Sequence, residues 1–412
     1  MNEKRRKAAG VCDRVVAWSA ALVPVGVVLG NVGYEGTVAL AVTAFLVRCA
    51  IVRKNPLSPV ASEPALFAWG LWVAAVIAAV LVKGPGSKGM GHDLALVRYL
   101  LFIAAVVDVN RRKPLFSMMA WGLAGAVVLG VVNTVAAYAF GQDLVGHELS
   151  RYTGKQQEAN RLASIAPYAA PFFLGWAAVA GGDRRWLRAL CLGLAALAVG
   201  QLVQTRIRTA LAGAVAGMAM AAGWLFFRDP RKRTLLVVGS AAVILILAIG
   251  GALWAEEGMT ELSAMKNRIY IWKVSSLVYR DNPVFGSGVS AFRDAYEKAV
   301  DTGKVDPSRA TWGKQKFHAY HAHNLALQLL ASTGLFGFLT FGAFFVLASR
   351  RALANARGRG TGLAAWPVVV LVLGLTGFNV YSSCYQSVLA FFTAMVLLGP
   401  GTAGVSREKE TA

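Results

Sequence analysis

Residues 64–82 read PALFAWGLWVAAVIAAVLV, nineteen positions without a charge. Wound as a helix at about 1.5 Å per residue, the run extends about 28 Å, close to the roughly 30 Å of a hydrocarbon core. A segment that crosses lipid must satisfy its own backbone hydrogen bonds, which a helix does. Comparable runs recur along the 412-residue chain, at 14–31, 36–52, 92–109, 115–140, 161–180, 187–203, 209–227, 234–254, 323–348, 362–380 and 384–400. None alternates in polarity as the strands of a membrane barrel do. Hydrophobic residues make up 56% of the chain and charged residues 15%, against about 25% charged in soluble domains. The expected fold class is an all-α polytopic integral membrane protein of about twelve transmembrane helices.

Formal net charge is +21, but its placement argues against a nucleic-acid partner. The basic residues fall in short clusters at Lys4–Lys7, Arg48–Lys54, Arg111–Lys113, Arg184–Arg188, Arg228–Arg233 and Arg350–Arg359. That spacing, every second loop, is what the positive-inside rule produces, and it puts both termini in the cytoplasm. The first basic run precedes an apolar stretch without a small-residue cleavage site, so it is expected to be a retained helix. The four cysteines share no spacing and form neither a disulfide framework nor a metal knuckle. The organisation expected is helices 1–9 over residues 1–254, a loop over 255–322, helices 10–12 over 323–400 and a cytoplasmic tail over 401–412.

A connection of almost seventy residues between Trp254 and His323 is too long to be idle in a compact protein. Its segment RIYIWKVSSLVYRDNPVFGSG (268–288) places Ile269, Trp272, Ser276 and Tyr279 at helical spacing. A short helix lying on the outer surface is expected there, ended by Asn282-Pro283, with Gly286 and Gly288 allowing a sharp return.

On this topology Arg151, Lys155, Arg161, Arg206, Arg208 and Arg268 lie at the outer face, against the charge rule. Arg206 and Arg208 stand in LVQTRIRTALAG (202–213), and Arg161 opens a span in QQEANRLASIAPY (156–168). Charges at such depth are costly and default to a functional reading, although each arginine taken alone is also compatible with snorkelling to headgroups. Guanidinium groups grip phosphate bidentately, so the set points to an anionic ligand with a lipid tail, such as a polyprenyl diphosphate.

Three of the five histidines, His318, His321 and His323, open the stretch HAHNLALQLLASTGLFGFLTF (321–341). They allow a metal site, a structural role at a helix mouth, or catalysis. Neither a nearby carboxylate partner nor an Asp-x-Asp pair supports metal. A ring at a helix N-terminus is held neutral by the dipole and is then able to accept a proton from a hydroxyl. Gly334 and Gly337 share a helix face and are expected to admit another helix closely.

These residues resemble the bacterial O-antigen ligases, within the O-antigen ligase and polymerase superfamily. The family signature His-Asn, nine residues, Gly-x-x-Gly is matched by His323-Asn324, LALQLLAST and Gly334-Leu335-Phe336-Gly337. The Arg in a T-x-S-R-x-x-L context is matched by Thr205 to Leu211, with Ile207 in place of Ser and Arg206 as an extra charge. The pattern of Arg and Trp followed by Pro-x-x-Gly-x-Gly and Phe is matched by Arg268, Trp272, Pro283, Gly286, Gly288 and Phe292. Some members carry an acidic residue in the late spans; GFNVYSSCYQSVLAFF (377–392) has none.

The resemblance implies a GT-C-like membrane protein with one long periplasmic loop between helices 9 and 10, in the bacterial inner membrane. It implies a metal-independent, inverting glycosyltransferase without cofactor, which moves O-antigen glycan from undecaprenyl diphosphate to the lipid A core. Carried onto this chain, His323 is the base, and Arg208 and Arg268 bind the diphosphate. Arg206 and Arg161 give support, His321 is a second histidine, Asn324 caps the helix or positions His323, and Trp272 contacts substrate. The alternatives are an O-antigen polymerase or protein O-oligosaccharyltransferase of the same superfamily, or a flippase of lipid-linked sugars.

Overall fold

The computed structural model describes residues 2–83, 90–140, 144, 156–180, 184–205, 207–227, 231, 263–302, 311–312, 315–316, 319, 321–376 and 379–400. A hairpin of α1 (Glu3–Leu29) and α2 (Asn31–Val52) opens the chain. Then follow α3 (Ser58–Ser62), α4 (Pro64–Lys83), α5 (Met90–Leu94), α6 (Val97–Asn110), α7 (Phe116–Phe140), α8 (Gln156–Val179), α9 (Arg185–Thr205) and α10 (Arg208–Phe226). The long connection holds α11 (Ser263–Asp281), α12 (Phe292–Asp301) and two antiparallel two-residue strands, β1 (Thr311–Trp312) and β2 (Gln315–Lys316). The chain continues through α13 (Leu325–Asn355), a 3-10 helix (Gly358–Ala365), α14 (Trp366–Thr376) and α15 (Ser383–Leu398).

Among the described residues, ten segments are long and apolar enough to cross a membrane. They coincide with ten of the runs read from the sequence. The last run corresponds to α15, a shorter apolar helix, and the run at 234–254 lies outside the described residues, as does the tail at 401–412. Large apolar side chains such as Leu81, Phe140, Phe226 and Leu339 remain exposed around the bundle. An apolar exterior of this kind requires lipid, and the protein is an all-α polytopic membrane protein.

Aromatic packing joins α4 to α13. Trp69 meets Phe344 edge-on with ring centroids 4.7 Å apart, and Trp72 meets Phe341 at 5.2 Å, geometry that the ring quadrupole favours. Trp366 of α14 closes over Phe344 and stacks on Phe345.

Two basic clusters do more than mark a loop. Arg48, Lys54 and Arg112 converge on Asp13 and Asp108, both carboxylates buried. Arg48 reaches Asp13 at 2.7 Å and Asp108 at 3.0 Å. Arg112 reaches them at 3.0 and 2.9 Å, and Lys54 lies 2.5 Å from Asp108. The network ties α1, α2 and α6 together at one end of the bundle. Sequence reading treated these basic residues as topology signals only and missed their acidic partners.

The long connection also departs from expectation. It contains two helices rather than one surface helix. The first, α11, is a 19-residue helix that buries Tyr270, Ile271, Val274 and Val278 in a small core with Phe292 and Tyr296 of α12 and with Ala322 and Ala331. Ile269, Trp272, Ser276 and Tyr279, the stripe expected to lie on a surface, are only partly buried. The packed face is therefore rotated by about one residue. It is fixed by protein contact.

Removing one partner from a buried ion pair leaves uncompensated charge and costs about 3–5 kcal/mol. Asp108→Ala strands Lys54 and weakens the hold on both arginines. It is expected to lower the melting temperature of the purified protein far more than Glu3→Ala, whose pair with Lys7 is exposed.

Candidate active site

The site begins at the N-terminus of α13. Asn324, with φ −151° and ψ 123°, caps the helix and accepts a hydrogen bond from Leu327 N at 3.1 Å, satisfying one of the free amides of a first turn. The residue before it, His323, has φ 51°, a left-handed conformation that histidine tolerates better than most side chains. Buried Gln328 holds the approach to the turn. Its Oε1 accepts from Ala322 N at 2.5 Å, and its Nε2 donates to Ser332 Oγ at 2.8 Å. The His321 and His323 rings are thereby brought to a centroid separation of 3.8 Å.

The third member is Arg268 on α11, carried against α13 by the Tyr270–Val278 face. Burial pushes its pKa down, and among the described residues no carboxylate pairs with it. Burial is also the first cause of the low pKa of His321, about 4, with the Arg268 charge adding to it. Burial, then His321, then Arg268 bring His323 to about 3. Both rings are therefore neutral at pH 7. The dipole argument gave the right sign, but desolvation is the dominant cause.

Below the cap α13 is broken. Gly334 has φ 65° and ψ −167° inside the helix, and the segment Pro283–Gly288 inserts its backbone at the break. Ser287 N donates to Ala331 O at 2.7 Å and Gly288 N to Ser332 O at 2.9 Å. In return Leu335 N donates to Pro283 O at 2.8 Å and Phe336 N to Val284 O at 3.2 Å. A Cβ on Gly334 would stand 2.6 Å from Phe285 N, and one on Gly286 (φ 68°) would stand 2.6 Å from Gly334 N. The expectation that Gly334 and Gly337 form a face for another helix is thus corrected. Gly334 is a helix break closed by a loop, and a side chain at Gly337 would collide with Thr333 of its own helix.

The loop is pinned again beyond Gly288. Ser290 donates to buried Asp93 of α5 through Oγ at 2.5 Å and through its backbone N at 3.2 Å. His92 Nε2 lies 3.1 Å from Tyr381 O, and Tyr381 OH lies 3.1 Å from Thr333 Oγ1. Sequence reading passed over His92, Asp93, Gln328 and Tyr381. The signal available was a His-Asp pair at the mouth of a span, the same pattern as His323-Asn324. Because α5 leads into α6, this site and the Asp108 network lie at opposite ends of α6.

The remaining expected residues are not all gathered here. Arg208, exposed, is the first residue of α10. Five residues on, Gly213 faces Leu373. Leu325, next to the histidines, lies against Gly374, and Asn324 Nδ2 is within 3.5 Å of Leu375 O. Arg208 and His323 therefore flank the same end of α14. Arg161 is buried, donates to Asn31 Oδ1 at 3.3 Å and packs against Gly30, and its Nη1 has no hydrogen-bond partner among the described residues. Trp272 is partly buried on α11, one turn from Arg268, and its indole N–H has no partner among the described residues. Arg206, Arg151, Lys155 and His318 lie outside the described residues. Among those described, no group of three or more His, Cys, Asp and Glu is placed to hold a metal ion.

Residues 193–342 match the model of the O-antigen ligase family. The matched stretch runs from α9 into α13 and takes in Arg208, Arg268 and His323, while Arg161 falls outside it. Compared with the curated proteins, the chain has no match.

Positive φ and backbone overlap together make Gly286→Ala and Gly334→Ala costly, by about 3 kcal/mol each. Both are expected to lower thermal stability and abolish activity. Gly342→Ala, with open space around it, is expected to change neither, as thermal melts of the purified variants would check.

Proposed function

We propose that the protein is an O-antigen ligase, an inverting glycosyltransferase that moves a finished glycan from undecaprenyl diphosphate to the lipid A core. The observation that carries this reading is a neutral histidine pair beside a desolvated arginine without a described carboxylate, inside the stretch that matches the family. A partly buried cation without a described carboxylate favours an anionic ligand, and the donor's diphosphate supplies one. The adjacent uncharged imidazole supplies the acceptor for a hydroxyl proton.

In this mechanism Arg268 and Arg208 hold the diphosphate and stabilise the charge that grows as it leaves, where an interaction accelerates the step most. His323 orients the acceptor hydroxyl and takes its proton as the oxygen attacks the anomeric carbon. The glycosyl–phosphate bond breaks on the opposite face. His321 buttresses His323, Asn324 fixes the turn that presents it, and the free indole N–H of Trp272 is a donor for a sugar hydroxyl. Charge stabilisation comes from arginine, and a cation beside both rings disfavours a metal there, which supports metal-independent transfer without a cofactor. Basic residues gathered at the opposite end of the bundle support a site facing the periplasm across the inner membrane. Arg161 gives support in this reading: it is buried, donates to Asn31 at 3.3 Å, and its Nη1 has no hydrogen-bond partner among the described residues.

A pKa near 3 makes His323 a weak base in the free enzyme. The bound diphosphate offsets the Arg268 charge and raises it. Since kcat/KM reports the free enzyme and kcat the complex, the acid limb of kcat is expected at higher pH than that of kcat/KM. The latter is expected to stay flat from pH 7 to below 5, because the ring is deprotonated throughout. A half-maximum of kcat/KM near 6.5 would mean an unperturbed histidine and contradict the assignment.

With purified lipid-linked glycan and lipid A core, His323→Ala is expected to reduce transfer about 10²–10⁴-fold and Arg268→Ala about 10²–10³-fold. Arg208→Lys, which keeps charge and loses the fork, is expected to cost about tenfold or more. Membrane insertion should be unchanged in each. Near-normal transfer by His323→Ala would remove the base assignment, and mass analysis of a lipopolysaccharide product identifies a ligase.

A further inference from the structure

A cleft of about 580 Å³ lies between the C-terminal end of α11 and α12, outside the candidate spans. Its volume is in the range of small-ligand sites. Asp281, Asn282, Asp294, Lys298 and Thr302 line it, and Val278 and Ala295 contribute apolar surface. The opposite side of α12 is anchored, with Phe292, Tyr296 and Val300 buried in the small core shared with α11, so the cleft is built on a fixed scaffold.

The lining selects a ligand class. Two carboxylates against one ammonium are wrong for a diphosphate, and the charges are wrong for a lipid tail. A mixture of acceptors, ammonium and amide donors and a hydroxyl suits a ligand whose every polar group both donates and accepts, with apolar patches left for its C–H faces. A sugar has that character. On α12, Arg293 and Glu297 pair with each other at 2.8 Å. Asp294 and Lys298 stand at the same spacing without an ion pair among the described residues, which leaves both to a ligand. Asp281 is thirteen residues from Arg268 along α11, about 20 Å. That is too far for the reacting sugar and suits one further along an oligosaccharide.

We propose that this cleft is a saccharide subsite that grips a glycan at a distance from the reacting centre, resting on the transferase reading for the identity of that glycan. The test uses the full-length protein in detergent, with calorimetric titration of two lipid-free probes, the core oligosaccharide and an O-antigen oligosaccharide. One probe is expected to bind the wild type and to name the source. Its affinity is expected to fall at least tenfold in the Asp294→Ala/Lys298→Ala double variant and to vanish in Ala295→Trp, which fills the cleft. The double variant changes two exposed side chains, so it remains informative if Ala295→Trp fails to fold. Binding of neither probe to the wild type, or unchanged binding in the double variant, overturns the proposal. If binding is lost in these variants while His323→Ala transfers normally, the subsite stands and the catalytic assignment falls.

Discussion

A broken helix sets the terms for the rest of this protein. At Gly334 the backbone of α13 turns to φ 65°, and groups that a continuous helix would have bonded internally are left open. Near a bilayer such groups cannot be left to chance, because each unsatisfied one costs several kcal/mol. The Pro283–Gly288 segment answers with four backbone hydrogen bonds, two given and two received. Only glycine fits at Gly286 and Gly334, since the two main chains run within contact of one another. The same docking fixes where α11 ends and therefore where Arg268 stands relative to the histidines.

The two ends of the bundle treat buried charge in opposite ways. At one end three cations share two buried carboxylates, a closed network whose loss would cost stability. At the other, Arg268 is desolvated without a described carboxylate, beside two imidazoles that burial above all, with the Arg268 charge adding to it, keeps neutral. Arg98, at the same end of α6 as the site, has Glu35 at 2.7 Å, whereas Arg268 has no described carboxylate, and that leaves a demand for an anion. The proposed donor meets that demand, and the price in stability is carried by the packed core beneath α11.

Much of this was legible in the sequence, for a physical reason. Span positions follow from composition and length, which are local, and ten described spans fall where the apolar runs predicted. Asn324 was legible as a cap because the cap is a contact three residues away. What failed was long-range. Gly334 and Gly337 give the same letters whether they pack helices or break one, and only the loop about fifty residues upstream decides between them. Of the contacts of Asp13 and Asp108 only the Asp108–Arg112 pair is local, four residues apart; the others depend on partners distant in the chain.

The docking of loop onto broken helix can be measured directly by hydrogen–deuterium exchange of the full-length protein, followed at Ser287, Gly288, Leu335 and Phe336. Although Ser287 and Gly288 belong to a connecting loop, their amides should exchange as slowly as those inside α13, because each donates to a carbonyl at the break. Exchange at the rate of an exposed loop would mean that the segment does not close the break. The placement of Arg268 beside the histidines would then lose its foundation.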